Sequence, residues 1–277
     1  MYNKTSKQPF ENLSPRHYLY ISINHFAASV EEALNPQFRN VPLAIIENIN
    51  SELTIVDCNV IAASFGIKKG MSLKKAFQIT PRLVIRPIQS GFLKGFSRAF
   101  IKISKKWGEF VMEKNNEILL TIPYSTSIER AIIFLKIQNA CWQELECKVN
   151  IGFGSSPTLA KLANLTLRQP GFQFYDKNDA QTLNRIPIRF LPGLGQSSAL
   201  RLKESGIAFI GEFLNAKTED VYSWLGKKGL ALRYQVTSSW IGVKKPEEIV
   251  GSKAIGLKLN KRFNFNFFNK NLASVNT

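Results

Sequence analysis

Apolar and polar positions along the chain follow two rhythms, one of continuous or alternating β-type runs and one of three- and four-residue helical steps. Tyr18 to Ile23 (YLYISI) reads as a buried strand, and Ala27 to Leu34 (AASVEEAL) as a helix stopped by Asn35-Pro36. A second strand is predicted at Val41 to Ile46. Residues 53 to 89 read as a strand, a helix around Asn59 to Phe65 closed by Gly66, and a helix around Leu73 to Ile79 that stops before Pro81.

Between 92 and 113 the residues Phe92, Phe96, Phe100, Ile103 and Trp107 form the apolar stripe of an amphipathic helix, with Lys94, Arg98, Lys102 and Lys105 opposite. A strand at Ile118 to Ile122, a helix at Ser127 to Leu145, a strand at Val149 to Phe153 and a helix at Thr158 to Leu167 follow. Strands alternating with helices predict an α+β fold, a mixed sheet covered by helices. From about residue 180 short helices separated by Gly turns predict a small all-helical domain. Residues 246–277 are basic and contain FNFNFF at 263–268, without an evident domain of their own.

Composition sharpens this reading. The 277 residues are 44% hydrophobic, enough for one large core or a few small ones, which excludes disorder throughout. With 37 Lys and Arg against 20 Asp and Glu the net charge is +17, spread over both halves, so the expected partner is a polyanion. Cys58, Cys141 and Cys147 form no CxxC pair, and His17 and His25 cannot complete a zinc set, so no structural metal is expected. The polar leader, residues 1–15, lacks a secretory signal, and no run approaches the roughly 20 apolar residues of a membrane span. These features predict a cytoplasmic, nucleoid-associated protein without membrane contact; a nuclear location is compatible.

Two Gly turns carry the strongest local chemistry. Pro192-Gly193-Leu194-Gly195-Gln196 opens a helix, so that backbone N–H groups from Gly195 through Gln196 to Ser197 point together without a Cβ in the way, an arrangement suited to a phosphate. Leu225-Gly226-Lys227-Lys228-Gly229 adds two ammonium groups at a matching turn. A pair of ordinary helix caps is the simpler alternative. Two such turns in tandem on a strongly basic chain favour a pair of helix-hairpin-helix grips on a DNA backbone, sequence-independent.

In this order the motifs resemble the Y-family (DinB/UmuC-like) translesion DNA polymerases over roughly residues 18–260. The most specific pieces are Val30-Glu31-Glu32, Phe65-Gly66-Ile67-Lys68-Lys69-Gly70-Met71, Ile151-Gly152 followed by Ala160-Lys161-Leu162-Ala163, and Leu191-Pro192-Gly193-Leu194-Gly195. The resemblance implies a right-hand architecture: palm at 16–33 and 90–179, fingers at 34–89, and a helix-hairpin-helix thumb at 180–245. Lys253-Ala254-Ile255-Gly256 resembles the entry to the family's little finger, with 246–277 as a basic remnant lacking that domain.

The resemblance also implies where catalysis would sit. The family's palm carboxylates fall on Ser22, Asn24 and the pair Asn116-Glu117, so only Glu117 keeps a charge. Its triphosphate-holding Tyr and Arg fall on Val60 and Ala63, a phosphate-touching Thr on Asp57, and the bulky residue that excludes a ribose hydroxyl on Ala27. Arg168 matches a basic phosphate contact, or serves as a helix C-terminal cation. His25 is expected to be a half-buried structural histidine, and Glu31 and Glu32 helix-surface charges.

These departures predict a chain that is not an enzyme: an ImuB-like, noncatalytic relative that binds DNA and supports another polymerase or repair factor in translesion synthesis. No cofactor is then expected. The alternatives are a weakly active error-prone polymerase, which needs Mg2+, and a DNA-binding adaptor, its tail linked to the replication clamp.

Overall fold

The computed structural model describes residues 16–237 except 115 and 168. The 1–15 leader, Arg168 and the 246–277 tail with FNFNFF therefore lie outside the described residues.

The chain runs β1 (Arg16–Ser22), α1 (Phe26–Leu34), β2 (Leu43–Ile49), β3 (Glu52–Cys58), α2 (Val60–Ser64), α3 (Leu73–Ile79), β4 (Val84–Pro87), α4 (Ser90–Ser104), β5 (Glu109–Lys114) and β6 (Glu117–Pro123). It continues through α5 (Ser127–Leu145), β7 (Asn150–Gly154), α6 (Pro157–Leu165), β8 (Phe172–Tyr175), α7 (Ala180–Leu183), α8 (Gln196–Glu204), α9 (Ile210–Asn215) and α10 (Thr218–Thr237). The fold is α+β with two mixed sheets. One has the order β5-β6-β1-β7-β8 and the other β3-β2-β4. In the first, β1 is antiparallel to both β6 and β7, and β8 runs parallel to β7.

The central strand β1 explains why YLYISI is apolar almost throughout. Alternate residues point to opposite faces. Leu19 and Ile21 join Phe100 and Ile103 of α4 and Ile137 and Cys141 of α5 in one core, while Tyr18 and Tyr20 face Ala160 of α6. Close packing on that second face depends on glycine. A Cβ on Gly152 would stand 1.9 Å from the Ala160 carbonyl oxygen, and one on Gly154 would stand 2.3 Å from the Ala160 nitrogen.

Helix α5 starts on a capping box: the Thr126 hydroxyl accepts from the Glu129 N–H, and Glu129 accepts from the Thr126 N–H. Helix α6 starts on the Ser156 cap with Pro157 behind it. Its outer face shares a core with the helical region, where Leu159, Leu162 and Ala163 meet Leu202, Ile210, Phe213, Val221 and Leu232. The helical segment is thus built onto α6.

The smaller sheet lies between α1 on one side and α2 with α3 on the other. Ala28, Leu43 and Ile45 form the first layer, and Ala44, Ile55, Ala62, Ile67 and Ala76 the second.

Several elements differ from the sequence expectation. The amphipathic helix predicted to 113 ends at Ser104, passes through a short 3-10 turn at Lys105–Trp107, and becomes strand β5 after Gly108. Pairing of Glu109–Lys114 with β6 satisfies the backbone there, and Gly108 permits the approach, since a Cβ on it would lie 2.6 Å from the Thr121 carbonyl oxygen. Strands β4 and β8 carry no strong local signal. Each is only four residues long and is recruited by a parallel neighbour.

Candidate active site and nucleic-acid interface

The last residue of β1, Ser22, stands in register between Glu117 of β6 and Asn150 of β7. The tertiary structure therefore brings Ser22, Asn116 and Glu117 to one end of the larger sheet. Ser22 is buried, and its hydroxyl donates to Asn164 Oδ1 at 2.9 Å. Asn164 in turn donates to the carbonyls of Asn150 at 2.8 Å and Tyr20 at 3.3 Å, locking α6 to β1 and β7. Asn116 donates through Nδ2 to the Ile23 carbonyl at 2.8 Å, and Ile23 N–H donates to the Asn116 carbonyl at 3.2 Å, which ties the β5–β6 turn to the end of β1.

Glu117 is engaged through one carboxylate oxygen. Its Oε2 accepts from the Tyr20 hydroxyl and lies 3.4 Å from Lys161 Nζ, which sits 5.0 Å from the Tyr20 ring centroid. Burial and the adjacent Glu117 carboxylate push the Tyr20 hydroxyl well above the ordinary phenol range. Asn164 and Lys161 belong to the cluster although the sequence reading singled out neither for this role. The available signal was a polar residue on each exposed-looking step of an otherwise apolar helix, PTLAKLANL.

A pair of divalent cations of the kind that family resemblance implies needs several anionic oxygens. Ser22 and Asn116 offer neutral groups already committed to hydrogen bonds, and Glu117 is paired with an ammonium. No group of three His, Cys, Asp or Glu converges among the described residues. These positions offer such a pair a single carboxylate, that of Glu117, which is a poor set for holding it.

The second set of expected positions lies where β3 meets α1. His25 precedes α1 in the left-handed region at φ 50°, and its side chain caps nothing. The first-turn N–H groups are capped instead from the other sheet: Asp57 Oδ2 accepts from Ala27 at 2.8 Å and Ala28 at 3.3 Å, and Asp57 Oδ1 accepts from Cys58 at 2.9 Å. His25 Nδ1 lies 3.8 Å from Asp57 Oδ1. That carboxylate, with the Cys58 thiol as a lesser neighbour, raises the imidazolium to about 10. Asp57 thus spends its charge on a helix N-terminus rather than standing free against an incoming phosphate. Ala27 enters the arrangement through its backbone, Val60 is exposed and Ala63 half-buried on α2.

The expectation of surface glutamates is corrected. Glu31 is 4% exposed and accepts from Arg86 Nε at 2.7 Å and Asn35 Nδ2 at 2.9 Å. Glu32 accepts from Asn59 Nδ2 at 2.7 Å, and burial raises its carboxyl above the usual range. Glu31 joins α1 to β4 through Arg86, and Glu32 joins it to the start of α2 through Asn59.

In the helical region Gly193 takes φ 84°, and Gly195 opens α8 with its side exposed and room for a Cβ. The N–H groups of Gln196 and Ser197, both exposed, lie in the first turn of α8, where no side chain caps them. Gly226 interrupts α10 at φ 60° and ψ −151°, so a new helical start follows at Lys227 and the exposed Lys228. Gly229 is buried inside that helix, where a Cβ would come within 2.7 Å of Leu225 Cβ; its place is a packing contact.

This α+β body with its helical extension shares the fold of solved DNA polymerases. The chain belongs to the impB/mucB/samB family, whose profile matches residues 21–164. It is 28% identical over 244 residues to DNA polymerase IV 1 of Bacillus subtilis (strain 168), covering 86% of this chain and 58% of that protein. It is 25% identical over 222 residues to DNA polymerase IV of Vibrio vulnificus (strain YJ016), covering 78% and 62%. An insertion ternary complex of Dbh DNA polymerase shares the fold, with TM-score 0.74 and 23% identity over 82% of this chain and 69% of that one. The chain spans about three fifths of the length of the curated relatives it matches.

These relatives overturn one expectation. Absence of enzymatic function was inferred from individual side chains, whereas the matching proteins are named DNA polymerases, which are nucleotidyltransferases. No described helix is long and apolar enough to cross a membrane.

Proposed function

We propose that this chain acts on DNA in translesion synthesis, gripping the backbone of primer–template duplex through its helical region and carrying the nucleotidyl transfer of its family in a weak form. The observation that carries the DNA reading is the pair of Gly turns, one presenting the uncapped N–H groups of Gln196 and Ser197 and the other Lys227 and Lys228, on a chain of net charge +17. The larger sheet with α4 to α6 serves as palm, residues 34–89 as fingers and the helices from α7 onward as thumb. Transfer is slow in this reading because Glu117 alone of the palm positions offers a carboxylate, and Tyr20 and Lys161 compete for it.

The test pairs primer extension with duplex binding. Wild type is expected to bind duplex with strong salt dependence, and Lys227→Ala/Lys228→Ala to lower the salt slope by up to about 2, two phosphate contacts at about 0.9 each. Extension is expected to be slow and to be lost in Glu117→Gln. An unchanged salt slope removes the two lysines from the interface. Duplex binding without any extension leaves DNA binding as the function, and absent binding at low salt overturns the proposal.

A further inference from the structure

Residues 58–108 contain no Asp or Glu and eleven Lys or Arg, so fifty-one consecutive residues carry +11 of the chain's net +17. Three of those cations are neutralised within the fold: Arg86 by Glu31, Lys105 by Glu113 and Lys106 by Glu144. The cations of α3 and of the turn before it are not. Among the described residues, Lys68, Lys69, Lys74 and Lys75 are exposed and make no ion pair.

Apolar exposure coincides with this charge. Phe65, which closes α2, is 54% exposed, and Phe77 on α3 is 37% exposed. Helices α2 and α3 bury Ala62 and Ala76 in one core on the same side of the smaller sheet, opposite α1, so their outward residues belong to one surface. The turn between them is held rigidly. Gly70 N–H donates to the Ile55 carbonyl at 2.7 Å and Ile55 N–H to the Met71 carbonyl at 2.9 Å, with Gly66 and Gly70 at φ 93° and 83°.

A surface that mixes fixed ammonium groups with exposed aromatic rings has a specific chemical complement. Duplex DNA satisfies the cations but keeps its base faces stacked against one another, leaving the rings nothing to cover them. A single strand offers both a phosphate chain and free π-faces. An acidic peptide would use the lysines alone.

We propose that the outer face of α2 and α3 binds an unpaired stretch of DNA, with Phe65 and Phe77 as stacking platforms and Lys68, Lys69, Lys74 and Lys75 on the phosphates. This face extends the DNA-binding reading above to a second, single-stranded contact, separate from the helical grip on duplex.

The experiment measures binding of a fluorescein-labelled oligothymidylate of about 12 nucleotides, within the usual single-strand site size, beside a blunt DNA hairpin. The proteins are the wild type, Phe65→Ala/Phe77→Ala, Lys68→Ala/Lys69→Ala and Lys227→Ala/Lys228→Ala, with circular dichroism to verify folding. Loss of both rings is expected to weaken oligothymidylate binding by at least about thirtyfold, the lower end for one stacked base at each of the two rings, and to leave hairpin binding unchanged. The Lys68/Lys69 variant is expected to lower the single-strand salt slope by about 1.4, two contacts at about 0.7 each.

Because alanine at both rings can disturb the core beneath, Phe65→Tyr/Phe77→Tyr serves as the rescue variant and is expected to retain binding. Single-strand binding unchanged in both the ring and the lysine variants, with hairpin binding intact, overturns this face while the duplex reading stands. Tighter capture of polyglutamate than of oligothymidylate overturns it as well. Failure of the wild type to bind either DNA removes both readings together.

Discussion

Replacing Asp57 by alanine tests the idea that β3 caps α1 across the boundary between the two sheets. In the wild type, one carboxylate serves two first-turn N–H groups, at 2.8 Å from Ala27 and 3.3 Å from Ala28, while His25, at the usual cap position, contributes no side-chain bond. Loss of a helix cap costs about 1 kcal/mol and up to about 2. A charge-assisted hydrogen bond is worth about 1.5–3 kcal/mol, and the helix dipole adds up to about 2 in partly buried geometry. These figures describe one contact from three sides and do not add, so the expected loss for Asp57→Ala is about 2 kcal/mol. For a chain of this size that corresponds to about 4–8 °C in Tm.

Asp57→Asn should lose less, about 1 kcal/mol, because one amide oxygen can still face Ala27 but its –NH2 then meets the Cys58 N–H that the second carboxylate oxygen now accepts from. Both variants should return the His25 imidazolium toward its ordinary value near 6.5. The assays are urea denaturation at neutral pH and an NMR titration of the His25 ring. A loss below about 0.5 kcal/mol in Asp57→Ala, with His25 still titrating near 10, would refute the reasoning.

The His25–Asp57 contact also sets a pH dependence. The folded value near 10 lies above the unfolded one, so its stabilisation is complete below about 6.5 and disappears as pH rises through 10. Urea midpoints from pH 6 to 10 should fall more steeply in wild type than in His25→Asn, a residue that tolerates φ 50°; parallel curves contradict the assignment. Gly152→Ala should cost more than about 3 kcal/mol, since its Cβ would stand 1.9 Å from the Ala160 oxygen and 2.5 Å from the Asn164 nitrogen. Gly195→Ala, with nothing within 4 Å of its Cβ, should change chemical-denaturation stability by less than about 1 kcal/mol, and equal effects at the two glycines would exclude steric contact as the cause. Tyr20→Phe should destabilise by about 1 kcal/mol through its lost bond to Glu117. In an alkaline ultraviolet titration of wild type, Tyr20 should stay protonated above the ordinary phenol range, and its ionisation within that range would show that Glu117 does not hold it.

Much of this architecture is written locally. The apolar run at Tyr18–Ile23, the Asn35-Pro36 stop, the Ser127–Leu145 periodicity and the Gly turns at 193–195 and 226 announce their elements, because propensity, side-chain period and backbone freedom act within a few residues. The motifs also sufficed to place the chain in its family and to locate Ser22, Asn116 and Glu117, which the folded chain then gathers at one sheet end. What they did not determine is the partner of each polar group. Trp107 continues a helical stripe in the sequence, yet the helix stops at Ser104 because β6 offers the following residues hydrogen bonds that α4 cannot.

Glu31 and Glu32 read as surface charges until Arg86 arrives from β4 and Asn59 from the start of α2. Asp57 marks only a family phosphate-contact position in the sequence until α1 brings two N–H groups to it. Asn164 reads as one polar step on α6 until the ends of β1 and β7 supply the groups it must join. Periodicity along the chain set out the apolar strand and helix faces whose residues, such as Leu19, Ile21, Phe100 and Ile103, meet in the core. Tertiary structure alone decided which donor meets which acceptor, since those contacts join residues 14 to 142 positions apart and exist only once the sheets and α6 have packed.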